Sequence, residues 1–128
     1  SNHYNSWRIF RYADVLLLAV ELEIRMNGSV SSQAQGWFDQ IRDRAFGDKN
    51  HRINLSGKSK EELLDIIFDE RGYEFIDEMQ RWFDIMRFDK GEEILASKGW
   101  TEKYRYFPIC QSEIDKSKGG LTQNEAWL

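Results

Sequence analysis

The stretch from Arg11 to Gly28, RYADVLLLAVELEIRMNG, limits what this chain can fold into more than any other. Phe10, Ala13, Leu17, Val20 and Ile24 recur at helical spacing and make one apolar stripe. Val15, Leu18 and Leu22 make a second stripe on the other side. Gly28 is a natural C-terminal stop. A helix that is apolar on two sides is expected to be sandwiched between neighbours, not laid on a surface. A chain of 128 residues has room for one modest core, so two-sided burial asks for more than the chain readily supplies. The longest unbroken apolar run, Val15 to Val20, falls far short of a bilayer span.

The next signals are caps. The segment SVSS precedes a second helical pattern over about 32–46, with Trp37, Phe38, Ile41 and Ala45 on its apolar side. The short link between the two patterns predicts an αα-hairpin, the unit of helical repeat arrays. Residues 47–58 are polar and contain glycine, and read as a loop. Ser59 followed by Glu62 is a capping box that opens a third helix. From Asp89 the pattern weakens to one or two helical turns, and the remainder to Leu128 is expected to be an extended tail wrapping the helices. No linker divides the chain, so residues 1–128 read as one helical region, with Ser1 and Asn2 as residues left by cloning.

The third helix carries an ionic ladder: Glu70, Glu74, Glu78 and Arg81 follow at spacings that place them on one face of a continuous helix. That same face begins as core with Leu63 and Ile67. Either the helix breaks near Gly72 or the ladder lies partly inside. Three acids against one base need outside cations if they are buried, and Arg11, Arg42 and Arg44 are the nearest in sequence. A solvated face with i,i+3 pairs such as Glu78–Arg81 is the alternative. Trp82 sits centrally among Phe75, Met79 and Met86 and is expected to be core.

Composition and motifs exclude several chemistries. The net charge is -4 with both signs mixed along the chain, so nucleic acid is not an indicated partner. Carboxylates on a helix could hold two metals, but neither His3 nor His51 stands in the required Glu-x-x-His pattern, so no metal is expected. There is no phosphate loop and no nucleophile elbow, and the lone Cys110 reads as a packed thiol. The chain reads as a non-enzyme without a cofactor. Aromatics are plentiful, and exposed aromatic faces can stack on sugars. Trp100, Tyr104, Tyr106 and Trp127 lie in irregular segments, which makes Trp100 and Trp127 weak candidates for glycan contact beside the plainer role of packing.

Six segments occur in one order: RYADVLLLAVE (11–21), FDQIRDRAFG (38–47), EELLDIIFDERGYEF (61–75), EMQRWFDIMRF (78–88), YFPICQSEID (106–115) and QNEAW (123–127). Together they resemble the C-terminal region of the SusD/RagB family of outer-membrane nutrient-binding lipoproteins, over nearly the whole chain. Three places depart from that pattern. Met79 stands where glycine is usual, Cys110 where a second proline is usual, and Glu125-Ala126 where Pro-Gly is usual. The resemblance implies an all-α fold of tetratricopeptide-like hairpins with an irregular C-terminal tail, a fragment of a larger SusD-like fold. It implies a cell-surface protein of the outer membrane that captures oligosaccharides and passes them to a SusC-like TonB-dependent transporter. Its membrane link would be an N-terminal lipid anchor absent from this chain. The rival expectation is a helical-repeat module that binds protein and no glycan. The two share a fold, so fold does not separate them.

Overall fold

In the computed structural model, residues 9–128 are described; Ser1, Asn2 and His3 lie outside the described residues. Helix α1 (Tyr12–Asn27) closes on Gly28, whose left-handed backbone lets its N–H reach the carbonyl of Ile24. Helix α2 (Ser32–Phe46) starts at Ser31, whose hydroxyl accepts from the Ala34 N–H, and ends on left-handed Gly47. Helix α3 (Lys60–Glu74) starts with the full capping box of Ser59 and Glu62. The backbone N–H of Ser59 draws the pKa of the Glu62 carboxyl below its ordinary value.

Helix α1 packs against both α2 and α3. Its inner stripe supplies Leu17, Val20 and Ile24, all fully closed to solvent, which meet a core of Phe38, Ile41, Leu63 and Ile67. The loop before α3 is tied down by Gln35, which donates to the carbonyl of Ile53 at 3.0 Å and accepts from the N–H of Leu55 at 2.9 Å. Leu55 is thereby held in the core.

The second stripe of α1 is not sandwiched. Val15, Leu18 and Leu22 are 55%, 40% and 58% exposed, and Met26 extends the same line at 74%. The third helix is also shorter than its pattern suggests. It stops at Glu74, not at Gly72, and turns through 75–79 with Asp77 and Met79 in the left-handed region. Helix α4 (Arg81–Arg87) then begins.

The chain divides into two compact units, one ending at Arg81 and one running from Trp82 to Leu128. The second unit is irregular but not extended. It holds most of α4, then α5 (Gly91–Leu95), α6 (Gln111–Lys116) and the 3-10 turns Ala96–Lys98, Glu102–Arg105 and Glu125–Trp127. Arg105 knits it together by donating to the carbonyl of Met86 at 3.1 Å and to the carboxylates of Asp89 and Glu102. No strand occurs among the described residues, and no helix there is long and apolar enough to cross a membrane.

Candidate functional site

Trp100 and Trp127 line one apolar cleft in the second unit, together with Trp82, Tyr104, Tyr106 and Phe107. The Trp100 ring lies so close to Gly91 that any Cβ there would collide with it, so glycine at 91 is a packing requirement. The Trp100 indole N–H is buried with no acceptor among the described residues. Trp127 donates from Nε1 to the carbonyl of Tyr106 at 2.8 Å and meets Tyr104 edge-on, ring centres 5.6 Å apart. The Lys103 ammonium stands 4.8 Å from the Trp127 ring centre, close enough for a cation–π contact. Tyr106 and Phe107 are exposed. Trp82 is half-buried, 6.2 Å from Phe107, and not the central core residue its pattern implied.

Two of the sequence segments quoted above are each other's partners. Gln123 accepts from the N–H of Ile109 at 2.8 Å and donates back to its carbonyl at 2.9 Å. Asn124 donates to the carbonyl of Phe107 at 2.7 Å. QNEAW therefore acts as a clasp on YFPIC, with Trp127 on Tyr106 as its last link. Cys110 sits at the end of the clasped strand of chain and is exposed, not packed.

The first unit holds Glu70, Glu74 and Glu78 with the arginines that meet them. Arg11 donates to the Glu74 carboxylate at 2.8 Å, to the Glu74 carbonyl at 2.9 Å and to Glu78 at 2.8 Å. Arg44 also pairs with Glu74, and Arg42 pairs with Glu70. These contacts raise Arg11 still further above its ordinary pKa, through its hydrogen bond to Glu78 first. Burial pushes the Glu70 carboxyl up, against the pull of Arg42. Only Glu70 and Glu74 share the face of α3; Glu78 belongs to the turn and Arg81 to α4. Arg81 faces another way, donating to the carbonyl of Phe68 at 2.9 Å and lying 3.8 Å from that ring's centre.

The sequence reading missed the most buried pair. Arg71 donates to Asp14 at 2.7 Å, with both side chains 3% exposed. The available signal was spacing: Arg71 is one turn beyond Leu63 and Ile67, so it continues the core stripe and has to bring a partner inside. Each acid of the set meets an arginine at hydrogen-bonding range. The arrangement links the start of α1 and the end of α2 to the end of α3 by charge-assisted hydrogen bonds.

Residues 1–105 match the model of the SusD family. The chain belongs to the SusD family. Its curated relatives include SusD-like protein P2 of Formosa agariphila, 38% identical over 70% of this chain and 18% of that protein. SusD-like protein P38 of the same organism is 32% identical over 91% of this chain and 24% of that protein. Among solved structures, surface glycan-binding protein A of Bacteroides thetaiotaomicron superposes with a TM-score of 0.77 at 34% identity, over 97% of this chain and 26% of that protein. The same protein solved with laminarihexaose gives a TM-score of 0.76. The chain thus spans roughly a quarter or less of these relatives' length. The all-α fold of helical hairpins is that of its SusD-like structural neighbours.

Proposed function

We propose that this chain is the non-catalytic, C-terminal helical part of a cell-surface glycan-binding lipoprotein of the outer membrane. The longer protein captures oligosaccharides and passes them to a SusC-like TonB-dependent transporter, with its lipid anchor in a segment outside these residues. The observation that carries this reading is the likeness, over almost the whole chain, to a surface glycan-binding protein that has been solved with laminarihexaose. Within such a protein, the arginine–glutamate set and the aliphatic core supply a rigid frame. The cleft lined by Trp100 and Trp127 is the part of this chain offered to sugar, because it presents aromatic surface in one place.

Calorimetry tests the reading. The longer protein should bind a β-glucan hexasaccharide or another glycan of a panel, and residues 1–128 alone should give no heat. Trp100→Ala and Trp127→Ala in the longer protein should weaken the isotherm. A longer protein silent to every glycan would leave the helical-repeat interaction module as the surviving reading. Co-purification of the longer protein with a TonB-dependent transporter tests the transfer step.

A further inference from the structure

The turn Lys98–Gly99–Trp100 builds part of the wall of the aromatic cleft. Gly99 takes the left-handed conformation, with φ of 85°, and so ends the 3-10 turn Ala96–Lys98. The chain reverses there, and the Trp100 N–H meets the carbonyl of Leu95 at 3.2 Å. Lys98 and Trp100 are thereby brought to the same cleft. Lys103 stands beside them, its ammonium 5.2 Å from the ring centre of Tyr104 and 4.8 Å from that of Trp127. Neither Lys98 nor Lys103 pairs with a carboxylate among the described residues, whereas Lys90 and Lys116 each hold a glutamate. Glu102 is taken up by Arg105, and Glu125 lines a separate hollow.

The cleft is also short of acceptors. No Asp, Glu, Asn or Gln lines it, and its one charged side chain, Lys98, only donates. The indole N–H of Trp127 is spent on Tyr106 and that of Trp100 is buried. Only the hydroxyls of Tyr104 and Tyr106 can accept from a ligand through a side-chain oxygen. A neutral sugar presents hydroxyls that need acceptors as well as donors. A carboxylate or sulfate offers acceptors alone, and an ammonium binds it more strongly than it binds a hydroxyl. We infer that this cleft takes an anionic oligosaccharide, one carrying carboxylate or sulfate groups. Its rings lie against the aromatic lining, and Lys98 and Lys103 meet its anionic groups. This class rests on the proposal that the cleft is offered to sugar, which it narrows from any glycan to a charged one.

Calorimetry on the longer protein tests it with probes of matched length: laminarihexaose, a hexamer of galacturonic acid and a sulfated galactan hexamer. At least one anionic probe should bind more tightly than laminarihexaose. Lys98→Gln combined with Lys103→Gln should weaken that isotherm at least about tenfold, since charge-assisted hydrogen bonds are lost. Added salt should weaken it too, because exposed cations are screened. Lys49→Gln, in the loop of the first unit, should leave it unchanged, and circular dichroism checks that every variant is helical. Heat from the galacturonate alone names the group as carboxylate, and heat from the sulfated probe alone names it as sulfate. An anionic isotherm that the paired lysine substitutions do not change overturns the inference, as does a neutral glycan bound more tightly than either anionic probe. Binding that falls with Trp100→Ala and Trp127→Ala but not with the lysines keeps the cleft and removes its charge preference. Binding that ignores all four positions removes the cleft itself.

Discussion

Leu17, Val20, Ile24, Phe38, Leu63 and Ile67 are closed to solvent in the first unit, whereas Ile85 is the only buried apolar side chain described in the second. The first unit buries both partners of Asp14–Arg71 and most of Arg42–Glu70, where the second buries one carboxylate, Asp84 beside Arg87, and leaves Asp89 and Glu102 exposed around Arg105. The first is held by a core and by long helices that present whole faces. The second is held by backbone clasps and ring contacts. A unit of well under 70 residues rarely gains more than a few kcal/mol from its own core. The same chain thus uses two strategies. The one with fewer buried apolar side chains carries the aromatic cleft.

The sharpest break is between cores. Phe38→Ala should cost about 3–5 kcal/mol and abolish cooperative unfolding of the first unit. Trp82→Ala should cost clearly less, because Trp82 is half-buried and its ring neighbour Phe107 is itself exposed. Urea denaturation followed by helix signal separates the two. Equal losses would show that the second unit has a core as decisive as the first.

Charge comes next. Glu74→Ala removes the acceptor of both Arg11 and Arg44 and should cost about 2 kcal/mol, between the ranges for exposed and buried pairs. Arg105→Ala in the second unit should cost less, since both its carboxylate partners are exposed. A double variant, Glu74→Ala with Arg11→Ala, should recover part of the loss. Strict additivity would mean that the pair does not act as a joint.

Glu70 should behave differently from Glu74. Burial raises its pKa in the folded chain, so its ionisation opposes folding. The stability it contributes is complete below the unfolded value, near 4.3, and is lost as pH rises through the higher folded value. Glu70→Gln mimics the protonated acid. It should therefore match the parent in acid and equal or exceed it at neutral pH, by about 1 kcal/mol or less. Melting curves from acid to neutral pH decide this. A variant that falls below the parent only at neutral pH would show that the Arg42 contact outweighs burial.

Much of the first unit could be read from sequence because its signals are local. Gly28, Ser31, Gly47 and the Ser59–Glu62 box each mark an end through contacts within a few residues. Charge counting also singled out Arg11, Arg42 and Arg44, the cations that stand beside Glu70 and Glu74. The partner of Asp14 is 57 residues away, and the fit of Trp100 onto Gly91 depends on an approach that periodicity does not encode. The exposed stripe of α1 misled for a related reason. A pattern states that a face is apolar, not whether anything in the chain meets it. The clasp of Gln123 on Ile109 stayed hidden because one amide side chain in an irregular segment carries no period.

The end of α3 was the remaining error, and it leads to the smallest effect. Apolar and charged residues continue through 75–80 without a glycine, so the pattern runs on as helix. The backbone nevertheless turns at Met79, with φ of 60°. Methionine has a Cβ that crowds the carbonyl in this conformation, at a cost of roughly 1–2 kcal/mol. Glycine removes that cost but gives up some of the stiffness of the unfolded chain, about 0.4–1 kcal/mol. The Met79 side chain is 80% exposed, so little packing is lost with it. Met79→Gly should therefore stabilise the first unit by about 0.5–1 kcal/mol, read as a higher urea midpoint with unchanged slope. Asp77→Gly, at φ of 62°, should gain less, because aspartate tolerates the left-handed region better. A destabilised Met79→Gly would mean that the methionine side chain itself holds the turn.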